Sequence, residues 1–330
     1  MKAVVVHEFA PFDRISVEQM PDPSPGEGDV VVDIKAAEVN YPDFLVIAGQ
    51  YQFKPPRPFS PGKAAAGIIS AVGKGVTNFS IGDRVALQVE YGAYAEKLRV
   101  KAVNVFHMPA GVSFVKGAAL GLVYQTAHFA LVERAHMRKG DIVLVLGASG
   151  GIGVASVQLA KALGAKIVIG GVLGAQNADV ARRAGADATI DLGMSDIRDG
   201  LRDAVRPITG GHGIDIVIDP VGGAANGAAL RAMAWCGRMV IVGFAAGEIP
   251  TIQTNYLLVK NIEVSGLQWS DYRDRTPEWV ARVQQELFDL HVAGKIDPYV
   301  SRTFPLEGFK DALTLLRDGK AQGKLVLEIS

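Results

Sequence analysis

Apolar and polar positions follow one rhythm before about residue 120 and another after it. The first part consists of short β-type runs broken by Pro and Gly. Asp29–Ala36 (DVVVDIKA) follows the turn-rich stretch Pro21–Gly28, Ala66–Val72 is a second run, and Ile81–Ala86 is a turn feeding a third. No helical period longer than a few turns precedes Ser113. From about Tyr124 the pattern alternates strand and helix. Ile142–Leu146 is continuously apolar, as a parallel strand covered on both faces requires, and Gly153–Leu163 reads as a helix closed by Gly164. Lys166–Gly170, Ala188–Ile190, Ile214–Asp219, Arg238–Gly243 and Ile262–Leu267 supply the other strands, with helices near Asp179–Ala184, Met194–Val205 and Ala225–Trp235 between most of them. Six strands in that alternation predict a doubly wound sheet. An amphipathic helix over Pro277–Ala293, a second over Asp311–Arg317 and a strand over Lys324–Ile329 follow.

Composition narrows the function classes. A chain of 330 residues is the size of roughly two ordinary domains. Thirty-four Lys and Arg balance thirty-four Asp and Glu, so the basic excess of a nucleic-acid binder is missing. The single cysteine, Cys236, is expected to be buried in the second half; one cysteine excludes both a disulfide framework and a Cys-rich zinc site within one chain. No apolar run reaches the roughly 18 residues that span a bilayer, and the opening Met1–Glu8 turns charged too soon for a signal peptide. A soluble cytoplasmic protein with no nucleic-acid or membrane partner is therefore expected.

The strand Ile142–Leu146 runs directly into Gly147-Ala148-Ser149-Gly150-Gly151-Ile152-Gly153 and then a helix. Read as G-x-G-x-x-G, Ala148 takes the first glycine's place, and Gly150 and Gly153 take the other two. In that setting the glycines permit a tight turn, let the backbone approach a pyrophosphate and let the helix pack on the strand, while free amides and the helix dipole hold the phosphates. The motif alone is weak; strand before and helix after make it a dinucleotide cradle. The usual acidic companion about 20 residues on, which bonds the ribose of NAD, is absent at Gly170–Leu173. The nearest cations that could meet a 2′-phosphate, Arg182 and Arg183, already stand on the next helix.

Motifs along the whole chain resemble the zinc-free quinone oxidoreductases, the zeta-crystallin-like branch of the medium-chain dehydrogenase/reductase superfamily. The carriers are Val39-Asn40-Tyr41-Pro42-Asp43, Gly49-Gln50-Tyr51, Pro61-Gly62, Gly67, Val72-Gly73, Gly82-Asp83-Arg84-Val85 and Gly92-Ala93-Tyr94-Ala95-Glu96. They continue with Tyr124-Gln125-Thr126-Ala127, Gly147–Gly153, Asp219-Pro220-Val221-Gly222-Gly223, Val242-Gly243-Phe244 and Gly323-Lys324. The resemblance implies an α/β protein: a GroES-like, β-rich catalytic domain over residues 1–121 and 269–330, and a doubly wound six-stranded Rossmann domain over 122–268. Zinc relatives carry a Cys at Asn40 and Gly-His-Glu at Gly62-Lys63-Ala64. Asn, Lys and Ala cannot supply soft or imidazole ligands, and the six histidines (His7, His107, His128, His136, His212, His291) show no paired helical spacing. No metal is expected.

The same resemblance implies the site. Asn40, Asp43, Tyr51 and Thr126 would line the place where nicotinamide meets substrate. Asn40 would supply an amide in place of the metal, and Thr126 would bond the nicotinamide ribose or carboxamide. Tyr51 would either donate to the substrate oxygen or pack on the Pro-rich loop Lys54–Pro58. Asp43 would hold the Asn40 loop through a backbone hydrogen bond, and Tyr41 would pack. Gly171 lies in the stretch after the cradle where the ribose is read. Relatives read the NADPH 2′-phosphate with Ser, Lys and Tyr at the positions of Gly174, Asn177 and Leu192. All three contacts are lost here, leaving the Asn177 amide and an anion nest at Gly174-Ala175. Val221, Val242, Gly243, Phe244, Leu267, Gln268 and Trp269 would surround the nicotinamide; Trp269 is also readable as a rim or interface aromatic. The resemblance implies NADPH, with NADH as a second coenzyme, and an apolar, flat small-molecule substrate. Homodimer formation through the outer edge of strand 262–267 is also implied. Two rival readings stay open: an enoyl-thioester reductase, and a non-catalytic NADPH-binding protein of the crystallin-like or RNA-binding kind.

Overall fold

All five residues of the strand Ile142–Leu146 are buried, which is what a continuous Ile/Val/Leu run demands of a strand with helices on both faces. The computed structural model describes all 330 residues and divides them into two units. One comprises Met1–Leu122, Ser270–Val292 and Val300–Ser330; the other comprises Val123–Trp269 and Ala293–Tyr299. The short segment Ala293–Tyr299, which the sequence places in the catalytic domain, thus goes with the Rossmann half.

In chain order the first unit opens with β1 (Lys2–Val5), β2 (Ser16–Gln19), β3 (Asp29–Val39), helix α1 (Tyr41–Ile47), β4 (Ala64–Val72), β5 (Arg84–Gln88), β6 (Lys97–Lys101), β7 (Val105–His107) and α2 (Phe114–Ala119). β1 and β2 pair as an antiparallel ribbon. Next comes α3 (Leu122–Phe129), which belongs to the second unit from Val123 onward, and then β8 (Ile142–Leu146), α4 (Gly151–Ala162), β9 (Ile167–Val172), α5 (Ala175–Arg183), β10 (Ala188–Asp191), α6 (Ile197–Ile208), β11 (Ile214–Asp219), α7 (Gly223–Ala232), β12 (Met233–Ile241), α8 (Thr254–Lys260) and β13 (Glu263–Gly266). The chain then runs through α9 (Trp269–Arg275), α10 (Pro277–Val292), β14 (Val300–Pro305), α11 (Phe309–Arg317) and β15 (Lys324–Glu328).

The main sheet of the first unit has the order β14-β15-β3-β4-β5-β7, with β6 added to β3. β3 is its longest strand and shows two register shifts against β4, at Val31/Val32 and Ile34/Ala36; such bulges bend a strand and increase its local twist. Its core includes Val32, Ile34, Leu87, Tyr94, Phe309, Leu313 and Leu327. Burying each Val, Leu, Ile or Phe fully is worth about 1.5–3 kcal/mol.

The second unit carries six parallel strands in the order β10-β9-β8-β11-β12-β13. The order reverses between β8 and β11, the switch point where such sheets bind ligands beyond the strand ends. β13 closes one edge, paired only to β12. No helix of the chain is long and apolar enough to cross a membrane.

Two sequence expectations fail together here. The helix expected over Ala225–Trp235 stops at Ala232, and Met233 already belongs to β12. The β11–β12 register jumps from Ile214↔Met233 to Ile216↔Arg238, so residues 234–237 loop out as an enlarged bulge. Trp235 is pushed out to 73% exposure, and Cys236, at a φ of 59°, is exposed where it was expected to be buried. Apolar content predicted burial; the bulge overrode it.

Candidate active site

In the second unit the ends of the parallel strands converge on the cradle. β8 delivers Gly147 and Ala148, and Gly150 caps α4, whose first-turn amides lack helical acceptors. The glycines have different tasks. A side chain at Gly153 would put its Cβ 2.1 Å from the Gly147 carbonyl oxygen, so helix and turn touch there. At Gly150 the nearest atom would be that same oxygen at 3.5 Å, leaving open space in front of the turn. Ala148 is fully buried, and its N–H donates to Gly171 O at 3.0 Å, tying the cradle to β9. Ser149, Gly151 and Ile152 fill the rest of the turn and the first helical positions.

Across the switch point, Asp219 at the end of β11 organises the next loop. Its buried carboxylate accepts from the N–H groups of Val221 and Gly222, both at 2.8 Å, and from Asn226 Nδ2 at 2.7 Å. Its carbonyl accepts from Val242 N at 2.8 Å, while Ala245 N donates to Pro220 O and Ala246 N to Val221 O. Val221, Val242, Gly243 and Phe244 are therefore held on one laced pair of loops. Leu267 joins them, its N–H donating to Ile241 O at 3.0 Å. Phe244 stays 39% exposed, whereas Trp269 is buried, which removes its reading as a rim aromatic; its indole N–H has no protein acceptor. Gln268 precedes it, and Thr126 is buried on α3.

The 2′-side of the cradle differs from the expected anion nest. Leu192 lies against Gly171, about where a Cβ on that glycine would meet it. The Asn177 amide donates to Leu173 O at 2.8 Å, and the Gly174 N–H donates to the carboxylate of Asp191 at 3.3 Å. Arg182 is held by Asp179 and Thr189, and Arg183 lies over the Tyr299 ring.

The first unit gathers Asn40, Asp43 and Tyr51 beside charges the sequence did not flag. Asn40 caps α1, with Pro42 in the first turn. Its backbone N–H donates to Asp43 Oδ2 at 2.8 Å, the loop-holding bond expected of Asp43. The same oxygen accepts from the Tyr94 hydroxyl at 2.8 Å, while Oδ1 has no partner. Burial pushes the Asp43 carboxyl up to about 6, outweighing those two bonds, and also pushes the Tyr94 hydroxyl up. Tyr41 packs edge-on against Phe44.

Lys324 Nζ lies 2.6 Å from Asn40 Oδ1, 3.0 Å from Val39 O and 2.9 Å from the Glu38 carboxylate, all buried. The side-chain nitrogen of Asn40 has no protein partner. The ring of Tyr51 carries the Lys63 ammonium 4.6 Å from its centre. Lys63 also pairs with Glu90, which Arg273 holds from its other oxygen at 2.9 Å. Burial raises the Glu90 carboxyl, but the two cations outweigh it and hold it below its usual range.

A zinc ion does not fit this donor set. Asn40 offers an amide, Lys63 an ammonium already committed to Glu90, and Ala64 a methyl group; no group of three or more His, Cys, Asp or Glu is arranged to hold a metal.

Two family models cover most of this layout. Residues 26–110 match the alcohol dehydrogenase GroES-like domain, and residues 151–285 match the zinc-binding dehydrogenase domain. Over 96% of its length the chain is 34% identical to the quinone oxidoreductase-like protein 2 homolog of Nematostella vectensis, covering 84% of that protein. This chain belongs to the quinone oxidoreductase family of the medium-chain dehydrogenase/reductases. Among solved structures, the Escherichia coli quinone oxidoreductase complexed with NADPH superposes on this family member with a TM-score of 0.90 and 30% identity, covering 99% of this chain and all of the other. A mycobacterial protein complexed with NADPH gives 0.91 and 31%, with the same coverage.

The family motifs made Lys324 and Asp219 visible in sequence as parts of Gly323-Lys324 and Asp219-Pro220, without a role. Nothing in the sequence pointed to Glu90 and Arg273, which meet from distant elements, or to Asp191, whose bond to Gly174 joins β10 to the turn after β9.

Proposed function

We propose that this chain is a metal-independent reductase that takes NADPH and reduces quinones or other electron-poor conjugated substrates. The observation that carries this reading is Asn40. In zinc relatives its position belongs to a ligand; here it offers a buried, unpartnered amide donor. A buried donor without a partner costs about 1–3 kcal/mol, and a substrate carbonyl oxygen would recover it. NADPH, held in the E. coli and mycobacterial neighbours, suits the cradle Ala148–Gly153 and the loops bearing Val221, Val242, Gly243, Phe244 and Leu267. When bound, it supplies a hydride.

The chain's own groups then have definable tasks. The cradle amides hold the pyrophosphate. Asn40 Nδ2 donates to the substrate oxygen as negative charge grows there, the kind of preorganised donor that is worth about 2.7–4 kcal/mol in other enzymes. Tyr51, beneath the Lys63 ammonium, is the candidate donor of the balancing proton, and Thr126 a contact to the nicotinamide half. Phe244 offers a flat apolar surface to the substrate.

A substrate screen tests the reading. Reduced-nicotinamide absorbance is followed with quinones, enones and enoyl-CoA esters. Quinone turnover that falls about a hundredfold in Asn40→Ala, with coenzyme affinity retained, supports it. Turnover of enoyl thioesters alone would select the enoyl-thioester rival, and turnover of none would favour a non-catalytic binder.

A further inference from the structure

We infer that Asp191 reads the 2′ position of the coenzyme's adenosine ribose, favouring a hydroxyl over a phosphate, so that NADH is accepted alongside NADPH. This rests on the dinucleotide reading of the cradle above.

The argument starts from strand order. β9 and β10 are parallel neighbours, with Asp191 in register with Val172. Both strands therefore end on the same side of the sheet as the cradle, where β8 delivers Gly147. The turn after β9 is where doubly wound folds meet the adenosine ribose, and a carboxylate there bonds a free 2′-hydroxyl, whereas a cation accommodates a 2′-phosphate. The end of β9 and the residue after it, Gly170-Gly171-Val172-Leu173, bring no acid. The carboxylate comes instead from the next strand. Asp191 Oδ1 accepts from Gly174 N at 3.3 Å and from Gly193 N at 3.0 Å. Those two N–H groups hold its carboxyl below the usual range, so it is ionised at neutral pH.

Two consequences follow for the ligand. Gly174 N–H, the amide best placed to open an anion nest at the start of α5, already serves an anion that belongs to the protein. A 2′-phosphate, which carries roughly two negative charges, would have to displace that carboxylate or sit beside it. The second oxygen, Oδ2, makes no hydrogen bond within the protein and can accept one from a 2′-hydroxyl.

Nothing nearby in sequence offsets the charge. Arg182 is engaged by Asp179 and by Thr189 at 2.9 Å. Arg183 donates to Asp179 O and stacks over Tyr299. The Asn177 amide is turned to Leu173 O. Gly174 itself has a φ of 76°, and open space surrounds its Cβ position, so the turn leaves room for a ribose without holding one.

The test is equilibrium binding to the full chain, read by reduced-nicotinamide fluorescence and by competition with ADP-ribose against 2′-phospho-ADP-ribose. The competitors report the adenosine half alone, independent of any turnover. In the unaltered chain NADH should bind within about tenfold of NADPH. Asp191→Asn keeps an oxygen for Gly174 and Gly193 and removes only the charge. It should shift the NADPH-to-NADH affinity ratio toward NADPH by tenfold or more, about 1.4 kcal/mol, with the same shift between the two competitors and an effect that shrinks at high salt. Asp191→Glu, which keeps the charge, should leave the ratio within about threefold, and the melting temperature of each variant shows whether the turn survives. A ratio unmoved in a folded Asp191→Asn chain would overturn the inference while leaving the cradle intact. Binding of neither coenzyme to the unaltered chain would overturn the cradle reading and this inference with it.

Discussion

The ammonium of Lys324 lies 2.6 Å from the side-chain oxygen of Asn40. An ammonium can only donate, so it decides which end of the amide faces it. The oxygen is turned to Lys324 and the nitrogen away, and that is how a buried NH2 group comes to lack a protein partner. Glu38, fully buried, neutralises the lysine at 2.9 Å. Lys324→Met would strand the Glu38 carboxylate, and breaking a buried pair on one side costs about 3–5 kcal/mol. Urea unfolding should show that loss as a lowered midpoint, and an unchanged midpoint would contradict the pairing.

The two cradle glycines should separate binding from folding. A Cβ at Gly150 would come no nearer than ordinary contact, 3.5 Å, to Gly147 O, so Gly150→Val should fold while obstructing the pyrophosphate, weakening coenzyme binding by at least tenfold, about 1.4 kcal/mol. A side chain at Gly153 would collide with Gly147 O and with Ala148, so Gly153→Val should lower the melting temperature as well. Coenzyme titration together with thermal unfolding of both variants checks the division.

Asp43 makes the first unit's stability depend on pH. Burial raises its carboxyl from the ordinary range to about 6. Below about pH 4 the group is protonated in both folded and unfolded chains. Between about 4 and 6 only the folded chain keeps the proton, so this contribution to stability is lost as pH rises through that window. At about 1.4 kcal/mol per unit, the decline amounts to roughly 3 kcal/mol. Asp43→Asn should flatten it in unfolding curves taken from pH 4 to 7, and a slope equal to that of the unaltered chain would show that Asp43 is not its source.

Metal should not support turnover. Lys63 stands at the position of a ligand in zinc relatives, and its ammonium is bound to Glu90. Chelator treatment is expected to leave quinone turnover unchanged, and elemental analysis to find no stoichiometric zinc. Activity that disappears on chelation and returns with zinc would refute this.

Assembly should run through β13. The strand Glu263–Gly266 ends the parallel sheet and pairs on one side only. It carries one charge and no proline, so little in it blocks pairing with a second copy about a twofold axis. Sedimentation at micromolar concentration should give a dimer. Val264→Pro removes one ladder donor per chain and should weaken it; a monomer mass for the unaltered chain, or a dimer indifferent to this change, would place the contact elsewhere.

The doubly wound half was legible in sequence because its signals are local. A strand covered on both faces must be apolar throughout, as Ile142–Leu146 is, and a turn that brings helix against strand must be glycine where the backbones touch, as at Gly153. The β-rich half was only half legible. Asp29–Ala36 was visible, but the pairing of β14 with β15 and the short α1 were not, because ladders between distant segments leave no periodic trace. The bulge at residues 234–237 defeated the helix and the burial expected there, since register between parallel strands is a property of the sheet. The site divides in the same way. Local motif and spacing were enough to mark the cradle, whereas Asn40 and Asp43 were marked only through the family resemblance. Only the folded chain decided that Lys324, 284 residues from Asn40, orients its amide. It also decided that Arg273 and Lys63 share Glu90, and that the carboxylate missing from β9 arrives on β10 as Asp191. Charge acts through space at distances of a few ångströms, and which charges come that close is settled by strand order rather than by separation along the chain.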